Sequence, residues 1–414
     1  MRKSGGAAIL MPLSFERLQF LYPQSPDWEG LTYLAPLPPF NDQICALLAN
    51  VSQVLLTDSY AKSYPDVITF AFWCRKANLE KMKRQHDHHL RLGRGVILHI
   101  TPANVPVNFA YSLAAGLLSG NSNIVRVPSQ AFPQIAIIIA AFKNTLDTDD
   151  FGRLTPYLTL VSYQRDAEIN AFLSALCDVR IVWGGDQAIH EIRRAPLHSR
   201  AFDVTFADRY SVCAIEASRY LQAEDPGKIA RDFYNDTYLW DQNACTAPHL
   251  VIWTGAPSDI AVAQERFWTE LHQIVARQYS LPPVRAVDKL TALYKLAIDL
   301  EVELAAMPDN LIVRVKIKQL TKGIENYRCF SGYFLEYAAQ NLAEIAAIVN
   351  RKYQTLAYYG FEPQYLNEFL FDQALSGFDR IVPIGKTLDF SLVWDGYDLI
   401  TTLSRKVDFW GSYS

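Results

Sequence analysis

The stretch "YLWDQNACTAPHL", Tyr238 to Leu250, places Cys245 ahead of Thr246, Ala247 and Pro248, with nothing bulky on its C-terminal side. A thiolate attacks carbonyl carbon well, and small neighbours leave room for an acyl group on the sulfur. The backbone N–H of Cys245 could also point at the oxyanion that such an attack creates. A buried, unreactive cysteine fits the same residues and is common in proteins whose thiols stay reduced.

A second segment with chemical potential is "ITPANVPVNFAYSLAAGLLSGNSNIVRVPS". Asn104 follows a strand and precedes a helix, where its amide could donate to a developing oxyanion. Gly116, Gly120 and Asn121 let that helix and the next turn pack closely. Arg126 ends a second strand, within reach of a nucleotide phosphate or ribose. Neither a GxGxxG fingerprint nor a phosphate-binding Walker pattern is present. Taken alone, a plain βαβ unit with an asparagine turn is the simpler reading.

Other candidates are weaker. "HDHH", His86 to His89, has no cysteine or carboxylate cluster beside it and reads as a polar helix face rather than a metal site. His249 lies four residues after Cys245, but "HLVIWTG" continues as a strand, so it reads as a strand start. Trp394 and Tyr397 suit either core or the lining of an acyl channel. Cys213 and Cys329 read as buried thiols.

These residues need elements to hold them. From residue 94 the chain alternates apolar strands ("RGVILHITP", "NSNIVRVPS", "YLTLVSY", "VRIVWGG") with helices ("VPVNFAYSLAAGLLSG", "FPQIAIIIAAFKNTLD", "DAEINAFLSALCD"). That alternation predicts a parallel sheet covered on both faces, with ligands beyond the C-terminal strand ends. A second α/β segment is expected from 211, with a helical stretch over about 257–305, a helix at "LAEIAAIVN" and a strand at "QTLAYYG". The expected division is 1–210 as a Rossmann-like cofactor domain with an N-terminal helical segment, and 211–374 as a catalytic domain. Residues 375–414 are expected as a C-terminal segment returning to the cofactor domain or an oligomer interface.

Composition narrows the class. Half of the residues are apolar, 20% are charged, and the formal net charge is −4. No basic block gives the chain a reason to seek nucleic acid or anionic lipid. "AAILM" is broken by Pro12, too short for a secretory signal, and "IAIIIAAF" is far short of the roughly 20 residues that span a bilayer. The six scattered cysteines have no CxxC spacing, so reduced thiols and a cytoplasmic location are expected.

Together, "PANVP", "LLSGNSNIVRVPS", "VWGGDQAI", "DQNAC" and "RIVPIGKTLDFSLVWDGYDLITTLSR" resemble the acyl-CoA reductase (LuxC) family, over roughly residues 90 to 414. That family is similar in fold to the aldehyde dehydrogenase superfamily. The resemblance implies an aldehyde-dehydrogenase-like α/β fold and Cys245 as the acylated nucleophile. It implies that Asn104 and the Cys245 amide form the oxyanion hole. Gly184 and Gly185 match the turn that admits the nicotinamide half of the cofactor, and Arg126 matches a lysine contacting the adenosine ribose. It further implies an acyl-CoA or acyl-protein substrate with a long chain, an acyl-protein synthetase as partner, and a homo-oligomer.

Departures from the superfamily pattern are informative. The glutamate that binds the ribose 2′-hydroxyl is replaced by Ser129. A serine can donate to a 2′-phosphate that a carboxylate would repel, and Arg126 can pair with it, which favours NADPH. The glutamate that activates water for thioester hydrolysis has no counterpart in "AFDVTFADRYSV". The later glutamate on the nicotinamide ribose is also absent, with Arg328 near its place. The expected reaction is therefore NADPH-dependent reduction of the thioester to an aldehyde. An oxidative aldehyde dehydrogenase, a silent acyl-carrying subunit and a cysteine hydrolase are the alternatives.

Overall fold

A computed structural model describes residues 15–102 and 105–410. The chain divides into two compact units, one running to Ala207 and resuming at Tyr397, the other spanning Asp208–Gly396. Among the described residues, no helix is long and apolar enough to cross a membrane.

In the part of the first unit up to Ala207 the strands are β1 (Gln19–Tyr22), β2 (Arg91–Gly93), β3 (Val96–Ile100), β4 (Ser122–Arg126), β5 (Leu158–Ser162), β6 (Val179–Trp183) and β7 (Phe202–Phe206). Six of them form a sheet in the order β1-β5-β4-β3-β6-β7, parallel except for β1 at one edge. Every residue of β3 and β6 is buried, as parallel strands covered on both faces require.

The close packing expected of the glycines is present. A Cβ on Gly116 would lie 2.0 Å from Asn123 Oδ1, and Gly120, at φ +84°, passes against the Leu37 carbonyl. Asn121 accepts from the Arg94 and Gly95 amides at 2.7 and 3.2 Å and donates to the Leu403 carbonyl at 2.9 Å. The turn after the helix Asn108–Leu118 is thereby tied to the returning C-terminal chain, where Ser404–Lys406 pairs antiparallel with β2.

The second unit holds β8 (Tyr210–Glu216), β9 (Pro248–Thr254), β10 (Val302–Leu304), β11 (Val313–Ile317), β12 (Tyr333–Ala339), β13 (Tyr353–Tyr359) and β14 (Arg380–Pro383). Their order is β10-β11-β12-β9-β8-β13-β14, parallel except for β10. The helices Pro226–Thr237 and Pro257–Gln278 cover one face through Phe233, Phe267 and Trp268. Pro283–Asp299 and Pro363–Asp372 cover the other through Leu293, Leu296, Leu366 and Phe369. Glu336 is buried in β12, but its carboxylate receives Arg314 at 2.7 Å and the indole N–H groups of Trp253 and Trp268 at 3.1 and 2.7 Å. Such full pairing is what a buried charge requires.

Several sequence expectations shift. The unit boundary falls at Ala207/Asp208 rather than 210/211. The segment 375–414 is not one piece. Arg380–Pro383 adds a strand to the second sheet, whereas the chain from Tyr397 joins the first unit. The helical stretch 257–305 breaks after Gln278, and a second helix starts at Pro283, a residue type suited to a helix's first turn. It then ends in β10. "LAEIAAIVN" forms only a 3₁₀ turn at Leu342–Ala347. His86–His89 lie beyond the helix Lys76–Gln85, not on its face.

Candidate active site

Cys245 lies between a short 3₁₀ turn, Tyr238–Trp240, and the start of β9. Asp241 and Gln242 both take left-handed backbone, at φ 51° and 61°, which reverses the chain there. Side chains hold this unusual turn. The buried Gln242 amide donates to the Pro248 and Tyr333 carbonyls at 2.9 and 3.1 Å and accepts from the Gly332 and Tyr333 amides at 2.9 and 3.2 Å. Asp241 accepts the Tyr279 hydroxyl at 2.6 Å. Beyond the turn, Ser211 donates to the Cys245 carbonyl at 2.7 Å and accepts the Thr355 amide at 3.2 Å. The thiol therefore sits on a loop anchored to β8, β12 and β13.

Cys245 as a residue is half-buried. Burial, then the Asp395 charge, push the thiol up to about 11; the Gln354 hydrogen bond, Arg209 and Arg380 pull it down. Gln354 Nε2 donates to Sγ at 3.5 Å and also to Asp395 Oδ1. Arg209 forms an ion pair with Asp379 and reaches Asp395 Oδ2 at 3.8 Å. Arg380 stacks on the Trp394 indole at 4.4 Å and donates to the Thr387 and Asp389 carbonyls at 2.8 and 2.9 Å. The loop it holds is also fixed by Asp236, which accepts the Gly385 and Thr387 amides at 2.6 and 3.1 Å. Burial raises the Asp236 carboxyl to about 7.

His249 forms no pair with the thiol. Its Nδ1 faces the Cys329 carbonyl at 3.1 Å, its ring stacks on Tyr210, and burial lowers it to about 3, so it is neutral. Arg328, near the place of the absent ribose glutamate, is spent on the Arg209 carbonyl and Asp208, both at 2.6 Å. Cys213 and Cys329 are buried. Trp394 is buried between Arg380 and Phe390, while Tyr397 belongs to the first unit and packs on Phe206.

The remaining predicted residues lie in the first unit. Arg126 ends β4; its Nε and Nη2 donate to the Tyr163 carbonyl at 3.3 and 3.2 Å, and the guanidinium stacks on the Tyr163 ring. Nη1 takes part in neither bond. Ser129 is exposed. Gly184 and Gly185 follow β6; a Cβ on Gly185 would meet nothing within 4 Å, so that turn is open to an approaching group. Behind it, Trp183 donates to Ser112 at 3.0 Å, and Ser112 contacts His99 at 2.8 Å. Burial lowers His99 to about 4, and Asn123 faces its other nitrogen at 3.0 Å. Asn104 lies outside the described residues.

Gln354, Asp395, Arg209 and Arg380 were not singled out from sequence. Only Asp395 carried a local signal, the Asp-Gly pair of "WDGYDLI", and both residues do take positive φ, 48° and 77°.

Comparisons with known proteins agree with this architecture. The chain is 24% identical over 279 residues to a long-chain acyl-protein thioester reductase 2 of Photobacterium leiognathi, covering 64% of this chain and 54% of that protein. It is 23% identical over 250 residues to a long-chain acyl-protein thioester reductase of Aliivibrio fischeri, covering 58% and 50%. The chain spans about half the length of these curated relatives. Solved structures with the same fold include an NAD-dependent benzaldehyde dehydrogenase from Corynebacterium glutamicum (TM-score 0.61, 11% identity, covering 91% of this chain and 87% of that one). A lactaldehyde dehydrogenase from Escherichia coli is similar to the same degree (TM-score 0.61, 15% identity, 91% and 86%). The fold is that of the aldehyde dehydrogenases. With the model of the acyl-CoA reductases (LuxC) matching residues 74–406, the chain belongs to the acyl-CoA reductase family.

Proposed function

We propose that this protein reduces an acyl thioester, an acyl-CoA or acyl-protein with a long chain, to the aldehyde through a covalent acyl-enzyme on Cys245. The observation that carries the reading is Cys245 itself, on a loop anchored to three strands, in a chain of the acyl-CoA reductase family. In the first step the Cys245 sulfur bonds to the acyl carbon and the carrier thiolate leaves. The Cys245 amide and Asn104 donate to the oxyanion of this step and of the next. A bound nicotinamide cofactor supplies the hydride that reduces the acyl carbon. The resulting thiohemiacetal collapses, releasing the aldehyde and restoring the Cys245 thiolate.

The first unit offers residues that fit such a cofactor. The turn is open at Gly185, Nη1 of Arg126 takes part in neither bond to Tyr163, and Ser129 is exposed. Serine in place of a carboxylate favours NADPH over NADH.

Reduction rather than hydrolysis is favoured because "AFDVTFADRYSV" holds no glutamate to activate water. Asp395, a carboxylate near the thiol, accepts from Gln354 through Oδ1 and faces Arg209 at 3.8 Å through Oδ2. Incubation with acyl-CoAs of graded length and NADPH tests the proposal, following cofactor oxidation, free coenzyme A and aldehyde together. Coenzyme A release with carboxylate formation and no cofactor oxidation would overturn it. An acyl-protein synthetase partner and a homo-oligomeric, cytoplasmic enzyme complete the proposal.

A further inference from the structure

Gln354 is a buried amide with no part in the expected mechanism, and three groups define its orientation. Its Oε1 accepts the Thr355 hydroxyl at 3.3 Å. One N–H goes to Asp395 Oδ1 and the other to Cys245 Sγ at 3.5 Å. An ionised carboxylate only accepts, so Asp395 can face the NH₂ end of the amide and not its oxygen. With that end pinned on one side by Asp395 and the oxygen held by Thr355, the second N–H has one direction left, toward the sulfur. Asp395 is itself held, by the Arg209 guanidinium on one side and by the left-handed turn at Asp395–Gly396 on the other.

We propose that Gln354 is the side-chain hydrogen-bond donor to the Cys245 thiolate, and that Asp395 is a positioning residue that aims the Gln354 amide at the sulfur. The same N–H lies beside the acyl carbon once Cys245 is acylated, because the sulfur it now faces carries that carbon. This rests on Cys245 being the nucleophile.

Asp395 acts on the thiol in two opposed ways. Its charge disfavours the thiolate directly, while its grip on Gln354 supplies a donor that favours it. Arg209 and Arg380 are the cations that share the site and oppose the direct effect. The two roles of Asp395 separate in a double-mutant cycle.

The readout is the pH profile of Cys245 alkylation by iodoacetamide between pH 7 and 10.5, followed on the Cys245 peptide by mass spectrometry. Gln354→Met keeps the side-chain length and removes the donor. A hydrogen bond to a charged group is worth about one to two pKa units. Alkylation at a given pH is therefore expected to slow by about tenfold or more. Asp395→Leu, which removes both the charge and the acceptor, is then compared in the wild-type and Gln354→Met backgrounds. If Asp395 positions Gln354, the substitution speeds alkylation about tenfold more in the Gln354→Met background, where only its charge is lost, than in the wild type. An equal change in both backgrounds overturns the positioning role, and an unchanged profile in Gln354→Met overturns the donor role. Gln354→Leu replaces Gln354→Met where near-ultraviolet circular dichroism shows the latter unfolded. The assay needs no acyl substrate or cofactor, so failure of the reductase reading and failure of this inference register separately.

Discussion

Gln242→Leu tests whether the loop carrying Cys245 is built as the geometry implies. Gln242 is 1% exposed, and its amide makes four hydrogen bonds to backbone groups of Pro248, Gly332 and Tyr333. Leucine keeps most of the volume and offers no polar atom. The amides of Gly332 and Tyr333 then lose their side-chain acceptor, and two carbonyls lose a donor. At about 1 kcal/mol net for each bond, the loop loses roughly 4 kcal/mol of local stability. This is offset in part by the apolar side chain. Native-state hydrogen exchange reads the effect directly. Protection of the Gly332 and Tyr333 amides is expected to fall by at least about fivefold each, the equivalent of about 1 kcal/mol. Strands of the first unit should keep theirs. The left-handed pair Asp241–Gln242 should also relax, releasing the Tyr279 hydroxyl from Asp241. Unchanged protection at Gly332 and Tyr333 in a folded variant would refute this account of the loop.

Three further outcomes are expected. With the thiol pushed up to about 11, Cys245 is protonated at neutral pH, and its alkylation should rise about tenfold per pH unit from 7 to 10; a plateau below pH 9 would contradict this. Ser129→Glu should lower the NADPH/NADH preference roughly ten- to a hundredfold in kcat/KM, by placing a carboxylate against a 2′-phosphate, and an unchanged ratio would remove that assignment. Glu336→Leu should cost about 3–5 kcal/mol in urea unfolding of the second unit, because Arg314 and two indole N–H groups stay buried without their acceptor; a loss under 1 kcal/mol would show that water replaces it.

The candidate residues could be picked out of the sequence where their signal is local. The "DQNAC" loop, the strand end at Arg126 and the glycine turn after β6 each announce themselves within a few residues. The repeated strand–helix alternation likewise carries the parallel sheet of the first unit. What was not legible depends on distant pairing. Gln354 meets the thiol from 109 residues away, brought there by the register of β13 beside β8, and nothing in "KYQTLAYYG" distinguishes it from other strand residues. Asp395 reaches the site through a turn at the end of an irregular segment. The helical stretch expected over 257–305 is two helices, Pro257–Gln278 and Pro283–Asp299, and the apolar spacing on either side did not show the break between them. His86–His89 showed helix-like polarity, but the helix ends at Gln85, one residue before the first of them.

The central claim is that Cys245 carries the acyl group. The most direct measurement is incubation of the protein with a radiolabelled long-chain acyl-CoA in the absence of NADPH, followed by proteolysis and mass spectrometry. The account predicts a thioester-linked label, released by hydroxylamine, on the peptide containing Cys245, and no label on Cys245→Ala. A label that persists on Cys245→Ala would contradict it.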